Sequence, residues 1–455
     1  MPSGFRPDVL VIGAGITGLT AACELQRRGL HVRLVEASAR AGGLIRTERI
    51  DGFTIEAGPD SVLTSKPAAV ELARELGLEP DLQPVRPPGG AFVLRGRTLY
   101  PLPRPSLLGI PQTWRGLAGY ALLPAAARAR LALEPLVPAR RSLDDESIGS
   151  FFRRRFGAAT VDLIAQPLLG GIHAGDIETL SMQSLFPRLV ATEREHGSIM
   201  RAPSAPPPGG SMFVSLRHGM GSLVEALVQR LGDDTLRTGV AVDALARADE
   251  GWRAGGEQAR AVILALPAHA AARLLAPIDA IAAELCGRVP YVSTASVSLA
   301  WPRAAIRHPL AGTGFVVARR DSQVRITACT WVSSKWEARA PDGMALLRVF
   351  IGGAHDPGAV ALDDQSLVDV VRGDLDRVLG IAAAPVLTRV HRWPQAGAQH
   401  TVGHVARVDE IARRLSGHGL FVAGSGFRSV GIPDCVADAR RVAGDAEAYV
   451  RGALG

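Results

Sequence analysis

The sequence predicts an α/β protein with α+β regions, in which a discontinuous Rossmann-type domain is joined to a mixed-sheet domain and a mostly helical insert. A strand, a glycine-rich turn, a helix and a second strand follow one another before residue 37. Short apolar strands of the same kind recur near residues 260 and 420. A proline-rich stretch with leucines, arginines and few acids lies between residues 85 and 138. Similar strands so far apart along the chain indicate a domain interrupted by insertions.

The N-terminal elements form a βαβ unit around a nucleotide-type turn. Residues 8–12 are predicted as a buried strand, residues 20–28 as a helix and residues 31–36 as the second strand. The turn after the first strand has the GxGxxG pattern, with Gly13, Ala14, Gly15, Ile16, Thr17 and Gly18. Its glycines let backbone approach a pyrophosphate closely, and the helix N-terminus offers unpaired N–H groups to the phosphates. Glu36, at the end of the second strand, is placed to bind a ribose hydroxyl.

Two further glycine loops come soon after Glu36. Gly42 and Gly43 are adjacent, and Gly58, Pro59, Asp60 and Ser61 follow a predicted strand at residues 53–56. Glycines of this kind let the chain run close to a ligand that extends beyond the first pyrophosphate contact. Simple turns are the alternative for both loops.

The remaining elements are predicted from periodicity and from punctuation by glycine and proline. Residues 66–77 and 144–156 have helical patterns, and residues 201–210 form a Pro/Gly-rich connector. Strands are predicted at residues 239–245, 260–266 and 419–423, and a closing helix at residues 433–450. A glycine loop from Gly424 leads into this helix, whose N-terminus can stabilise negative charge on a ligand.

Composition excludes several classes of protein. With 455 residues, the chain is expected to form two or three domains. Its four cysteines, Cys23, Cys286, Cys329 and Cys435, are far apart, which argues against a disulfide framework, a zinc site or an iron–sulfur cluster and favours a reducing cytoplasm. His400 and His404 are four residues apart, but no acid or cysteine completes a metal site, so we expect none.

The net charge of +7 comes from scattered arginines, since Lys66 and Lys335 are the only lysines. Scattered charge does not favour nucleic-acid binding. Attraction to an anionic membrane surface and attraction to a carboxylate-bearing substrate both stay open. The start of the chain lacks a signal-peptide pattern, and no uncharged apolar run is long enough to span a bilayer. We therefore expect a cytoplasmic protein, with peripheral attachment to the inner face of the cell membrane as the alternative.

Several segments identify a family resemblance. Residues 11–25 (VIGAGITGLTAACEL), 35–47 (VEASARAGGLIRT) and 56–61 (EAGPDS) resemble the flavin amine-oxidase superfamily. Residues 167–189, 215–227 and 422–435 are similar to signatures of its porphyrinogen oxidases, the bacterial oxygen-dependent protoporphyrinogen and coproporphyrinogen oxidases. The resemblance covers nearly the whole chain, and residues 167–189 are its most specific part.

The resemblance implies FAD as the cofactor. Neither residues 425–432 nor residues 58–61 contain the Cys or His that a covalent link needs, so we expect FAD to be bound non-covalently. The implied contacts are the turn from Gly13 to Gly18, Glu36, Ala37, Gly42, Gly43, Leu44, Gly58, Pro59, Asp60, Ser61, Val242, Gly424, Ser425, Val430, Gly431 and Ile432. No triad or metal carries the chemistry, which the flavin supplies. The implied reaction in haem biosynthesis removes six electrons from a porphyrinogen, in three rounds of hydride transfer to the flavin, and O2 is reduced to H2O2.

For the substrate cavity, the residues proposed are Gly171, His173, Gly175, Phe315, Trp331 and Trp336. For the histidine and the aromatic residues, ordinary core packing is the alternative, and for the glycines it is a tight turn. The stretch Gly90, Ala91 and Phe92 lacks the arginine that eukaryotic enzymes place there for a substrate propionate. Arg95 and Arg97 are alternative anchors, and this favours coproporphyrinogen III slightly over protoporphyrinogen IX.

The expected domains are a cofactor domain of residues 1–84, 210–272 and 415–455, a substrate domain of residues 85–98, 176–209 and 273–414, and a helical insert of residues 99–175 that could face a membrane. Expected partners are the porphyrinogen and O2, with a membrane surface, ferrochelatase or another haem-pathway enzyme, and a second copy of the chain as open alternatives. An amine oxidase, a carotenoid desaturase or a non-catalytic porphyrin-binding flavoprotein are the other functions considered.

Overall fold

The computed structural model describes residues 6–202 and 210–452, so that residues 203–209 of the expected connector lie outside it. The strands are β1 (Val9–Ile12), β2 (Val32–Glu36), β3 (Thr47–Ile50), β4 (Phe53–Glu56), β5 (Val62–Leu63), β6 (Leu82–Pro84), β7 (Ala91–Arg95), β8 (Thr98–Pro101), β9 (Ser106–Leu107), β10 (Ile110–Pro111), β11 (Phe213–Leu216), β12 (Leu236–Thr238), β13 (Leu245–Ala248), β14 (Gly251–Ala254), β15 (Glu257–Ala259), β16 (Ala261–Leu264), β17 (Tyr291–Pro302), β18 (Gly314–Val317), β19 (Ala328–Trp331), β20 (Met344–Gly352), β21 (Leu387–Ala398) and β22 (Leu420–Val422). The helices are α1 (Ile16–Arg27), α2 (Ala68–Glu75), α3 (Trp114–Ala118), α4 (Ala125–Ala132), α5 (Ile148–Phe156), α6 (Ala158–Thr160), α7 (Gly171–His173), α8 (Met182–Leu185), α9 (Pro187–His196), α10 (Gly221–Leu231), α11 (Ala268–Leu275), α12 (Ala280–Gly287), α13 (Val332–Lys335), α14 (Asp364–Leu379), α15 (His404–Ser416) and α16 (Ile432–Gly452). Val161–Gly170 is a π-helix.

A five-stranded parallel sheet collects strands from the beginning, middle and end of the chain. Its order is β12–β2–β1–β16–β22, which confirms the predicted Rossmann-type α/β fold. Alternate residues of β1 enter two different cores. Val9 and Val11 pack with helices α1, α10 and α16, whereas Leu10 and Ile12 pack with α11, α12 and α15. Burial on both faces explains the unbroken apolar sequence of this strand.

One predicted strand is wrong. Residues 239–245 do not enter the sheet, and the strand beside β2 is Leu236–Thr238. Gly239 ends it with a φ of 71°, a left-handed conformation that suits glycine. Val240 and Val242 lie beyond this turn and pack half-buried against the core on the α11 side. The apolar residues in this segment therefore pack a loop against the core and do not form a strand.

The second domain contains a seven-stranded mixed sheet of order β21–β17–β20–β19–β18–β7–β8. All neighbours are antiparallel except β18 and β7. One face packs on helix α14, through Val297, Leu347 and Val349 among others. The opposite face carries polar residues on β17 and β20, including Ser296, Ser298 and Arg348, and faces the cofactor domain.

The helical region has its own core, formed by α5, the π-helix and the segments around them. Ile177, Met182 and Leu189 also belong to this core, although residues 176–209 were expected with the substrate domain. The hairpin β7–β8 runs past the expected boundary at residue 98, to Pro101.

In the part of the chain that the structure describes, no helix is both long and apolar enough to cross a bilayer.

Candidate active site

The GxGxxG turn has the geometry of a phosphate cradle. A side chain at Gly13 or Gly18 would collide with backbone, since the added Cβ atoms would lie 2.4 Å from the Ala265 carbonyl oxygen and 1.8 Å from the Gly13 oxygen. A Cβ atom at Gly15 would instead meet nothing within 4 Å. The first and third glycines thus serve close packing, and the second opens onto free space at the N-terminus of α1.

The carboxylate of Glu36 closes this turn from the neighbouring strand. Its Oε2 accepts a hydrogen bond from Ala14 N at 2.8 Å, and its Oε1 accepts from both N and Oγ of Ser38. The side chain is only half-buried, at the end of β2. A carboxylate fixed in this way can still accept a hydrogen bond from a ribose hydroxyl.

Three glycine loops form one continuous run of backbone. The Gly42 amide donates to the Ala14 oxygen at 2.7 Å, and a Cβ atom on Gly43 would lie 3.2 Å from the Cα atom of Gly15. A Cβ atom on Gly58 would lie 1.8 Å from the Leu44 oxygen. Side chains at these glycines would therefore push the loops apart.

This run of backbone fits an extended dinucleotide with an apolar ring at its end. The free space at Gly15 lies beside a helix N-terminus, which suits a pyrophosphate. At the other end the apolar side chain of Leu44 is 42% exposed beside Gly58, as expected for a residue covered by a bound ring. The donor set and the cradle together fit FAD, which would place its phosphates at the Gly13–Gly18 turn and its flavin near Gly58.

Asp60 fixes the Gly58 loop rather than pointing its side chain at a ligand. Its carboxylate pairs with Lys335 Nζ at 2.9 Å and accepts a hydrogen bond from Trp336 Nε1 at 3.2 Å. Burial opposes ionisation, but Lys335 and the Ser61 hydroxyl hold the pKa of Asp60 well below its usual range. Trp336, expected as a cavity wall, is 1% exposed and lies beneath this loop.

The carbonyl of Ala57, directly before Gly58, is held by donors from the second domain. Arg348 Nη2 and Trp393 Nε1 each donate to it at 2.9 Å, and Ser296 Oγ lies 3.4 Å away. These residues stand on the neighbouring strands β20, β21 and β17. The sheet of the second domain therefore fixes the backbone at the Gly58 end of the cradle.

The glycine loop before α16 forms the opposite side of the site. Gly424 has a φ of 111°, and its added Cβ atom would lie 3.5 Å from Thr17 Oγ1 on the first helix. Ser425, Val430 and Gly431 lead from there to Ile432, the first residue of α16. The loop thus joins the C-terminal helix to the GxGxxG turn.

Two stacked histidines support this loop. The rings of His400 and His404 are 3.8 Å apart, with Nε2 atoms 2.9 Å from the Ser425 oxygen and 2.7 Å from the Phe427 oxygen. Burial lowers the pKa of both rings, that of His404 to about 3. Neutral rings can donate from Nε2, so the two histidines hold the backbone of the loop by hydrogen bonds to the Ser425 and Phe427 oxygens.

The π-helix ends in the loop that the sequence singled out. Gly171 begins a short helical turn, and a Cβ atom there would meet nothing within 4 Å. At Gly175 the added atom would lie 2.2 Å from Gln399 Oε1, so this glycine is needed for packing. Gln399 Nε2 also donates to the His173 oxygen at 3.0 Å. Burial lowers the pKa of the half-buried His173 to about 3.

Phe315 and Trp331 lie away from this loop, in the core between the sheet and α14. They are 2% and 0% exposed. Side chains alternate along a strand, so their neighbours Val316 and Thr330 occupy the other face, where they are half-buried. Val316 packs against the helical core that includes the π-helix. The sheet face opposite α14 therefore carries the residues next to those expected.

The proposed carboxylate anchors lie in the turn of the β7–β8 hairpin. Arg95 Nη1 donates to the Leu122 oxygen in the helical region, and Arg97 is exposed.

Sequence reasoning missed Arg348, Ser296 and Trp393, which have no local motif. The one sequence signal for Lys335 was that lysine is rare, because the chain has only two lysines. The other lysine, Lys66, pairs with Asp434 at the start of α16.

Comparisons with known proteins agree with this geometry. A model of the family described as flavin containing amine oxidoreductase matches residues 16–446. The chain is 36% identical to coproporphyrinogen III oxidase of Bacillus subtilis, over 98% of this chain and 99% of that protein. A crystal structure from Exiguobacterium sp. 255-15, provisionally assigned as a protoporphyrinogen oxidase, is 32% identical with a TM-score of 0.86, covering 98% of this chain and 99% of the other. Cyclohexylamine oxidase from Brevibacterium oxydans has the same fold, with a TM-score of 0.73 at 18% identity, over 99% and 100% of the two chains.

Proposed function

The chain belongs to the flavin-containing amine oxidoreductase family, as an FAD-dependent oxidoreductase of its porphyrinogen-oxidase branch, and we propose that it oxidises coproporphyrinogen III to coproporphyrin III in haem synthesis. The observation that carries the proposal is the relative named coproporphyrinogen III oxidase, which matches over nearly the full length of both proteins. Protoporphyrinogen IX is the alternative substrate, because other relatives are named protoporphyrinogen oxidases.

The proposed reaction removes six electrons and six protons from the porphyrinogen. Three molecules of O2 accept them and become three molecules of H2O2, which balances atoms and electrons. When bound, FAD would supply the chemistry for hydride acceptance and for the reduction of O2.

The chain's own residues would position the reactants. The glycine run from Gly15 to Gly58 would hold the cofactor, and Arg348 on the sheet of the second domain fixes this run at the Ala57 carbonyl. Gly171 offers room for a flat ligand at the end of the π-helix. Burial lowers the pKa of His173 in the same loop to about 3, so we expect this ring to carry no positive charge at pH 7.

Parallel assays on the two porphyrinogens test the proposal. Purified protein should convert coproporphyrinogen III to a fluorescent porphyrin with O2 and release three H2O2 per porphyrin. Faster turnover of protoporphyrinogen IX would reverse the substrate assignment. Porphyrin formation that consumes no O2 would contradict the proposed acceptor.

Other functions give different results in the same preparation. Turnover of an amine with no turnover of either porphyrinogen would point to an amine oxidase, while FAD binding would be unaffected. Tight porphyrin binding without oxidation of any of these substrates would point to a non-catalytic flavoprotein.

A further inference from the structure

Arg348 is a buried cation at the flavin end of the cradle. It lies on β20, on the sheet face that meets the cofactor domain, and is 6% exposed. Its Nη2 donates to the Ala57 oxygen at 2.9 Å, while its Nε is buried without a hydrogen-bond partner. Its guanidinium carbon lies 4.5 Å from the centre of the Phe350 ring.

The charges around Arg348 do not cancel. Two other cations near the Gly58 loop have carboxylate partners: Lys335 pairs with Asp60 at 2.9 Å, and Arg339 pairs with Glu56 at 3.1 Å. Over residues 6–202 and 210–452, no carboxylate forms an ion pair with Arg348, although Asp60 and Glu56 act on it from further away. Each of these two ion pairs has no net charge. The guanidinium of Arg348 therefore gives this group of side chains a net charge of one positive unit.

A buried charge without a partner is costly, and it is retained where something else offsets the cost. A substrate carboxylate would need an accessible guanidinium edge. Arg348 has almost no exposed surface, and its Nη2 is already used by Ala57. Negative charge that appears next to the loop, without direct contact, can still be stabilised at short range in a buried site.

We propose that Arg348 is a positioning residue for the flavin, which fixes the Ala57 carbonyl and uses its unpaired charge to stabilise the negative charge that bound FAD gains on reduction. Charge near a flavin tunes its reduction potential. The proposal rests on FAD binding and does not depend on the porphyrinogen substrate.

The test measures the reduction potential of bound FAD in the purified holoprotein. Arg348→Met removes the charge at similar length, and Arg348→Lys keeps it. We expect the Met variant to disfavour the reduced flavin by tenfold or more, which is about 30 mV for a two-electron couple. The Lys variant should stay within threefold of the wild type.

Arg392→Met is the matched control, because Arg392 stands on the same sheet and its side chain pairs with Asp364, the first residue of α14. It should leave the potential unchanged. A wild-type potential in flavin-loaded Arg348→Met, or an equal shift in the control, would overturn the proposal.

Arg348→Gln and Arg348→Lys cover the case in which Arg348→Met cannot be loaded with FAD. Arg348→Gln retains a donor for the Ala57 oxygen and should show the same tenfold shift. If neither neutral variant can be loaded, the Lys variant decides, since a shift of tenfold or more in a protein that keeps the charge contradicts the proposal.

Discussion

At the scale of single residues, the Glu36 carboxylate links two parts of the nucleotide site, the end of β2 and the amide of Ala14. Glu36→Ala removes a charged acceptor worth roughly 1.5–3 kcal/mol. We expect the affinity for FAD to fall by about ten- to a hundredfold, as measured by titration of the apoprotein. Glu36→Gln, which keeps one acceptor oxygen, should lose less. Equal FAD affinity in Glu36→Ala and wild type would place the ribose elsewhere.

Gly171 and Gly175 lie four residues apart in one loop but respond differently to a side chain. Gly171→Val should fold, bind FAD and lose porphyrinogen turnover, because its side chain enters free space at the end of the π-helix. Gly175→Val should instead reduce stability, since its Cβ atom collides with Gln399 and Leu180. The two effects separate when thermal unfolding, flavin content and turnover are measured together.

Gly373→Val serves as the control for the Gly171 variant. Gly373 lies in α14, where an added Cβ atom also meets nothing within 4 Å. It should keep wild-type turnover. Full activity in Gly171→Val would move the substrate away from this loop.

At the scale of elements, the His400–His404 stack makes the C-terminal loop sensitive to acid. The folded state holds His404 with a pKa of about 3, whereas the unfolded chain binds a proton near the ordinary value of about 6.5. Between these values the unfolded state binds more protons, so stability falls as the pH decreases. From pH 7 to pH 5 the loss from His404 should be about 2 kcal/mol in the free energy of unfolding.

Denaturant unfolding at pH 7, 6 and 5 measures this loss, and most carboxylates stay ionised over that range. His404→Gln keeps a donor for the Phe427 oxygen and should reduce the pH dependence. The same dependence in the variant and the wild type would assign the effect to other groups. His400, whose pKa burial also lowers, contributes with the same sign.

The helical region carries exposed apolar side chains beside arginines. Trp114, Leu133 and Leu136 are 66%, 52% and 72% exposed. We predict that this surface binds anionic liposomes at low salt and is released by salt. Trp114→Ser with Leu136→Ser should abolish pelleting, while Val386→Ser, at a 61% exposed position in the second domain, should not. Absence of pelleting by the wild type at low salt would contradict the prediction.

At the scale of the whole molecule, the site is assembled from three distant segments, and its chemistry predicts non-covalent FAD. Cys435, near the start of α16, is the cysteine that lies close to the glycine turn. Burial raises the pKa of its thiol to about 11, which leaves little reactive thiolate at neutral pH. Acid precipitation should release all flavin into the supernatant. Flavin in the washed pellet would indicate a covalent link.

The sequence alone predicted the elements that form the nucleotide half of the candidate site, because their signals are local. The GxGxxG turn, Glu36 and the paired glycines lie within 31 residues, on elements whose order along the chain fixes their order in space. The same reasoning placed β16, β22 and α16 close to their observed positions. It failed at residues 239–245, where apolar residues pack as a loop after Gly239.

Only the tertiary structure shows how the residues of the candidate substrate half are arranged. Both faces of the second sheet are largely buried, so the apolar character of β18 and β19 does not reveal which alternate residues face α14. Pairing with β20 and contact with the π-helix determine which residues of β18 and β19 face α14. Phe315 and Trp331 are the ones that do. Arg348 and Trp393 reach Ala57 across some 290 and 336 residues of chain, a contact that no local motif encodes. Such contacts arise when two domains bury their surfaces against each other, and local sequence patterns do not specify that packing.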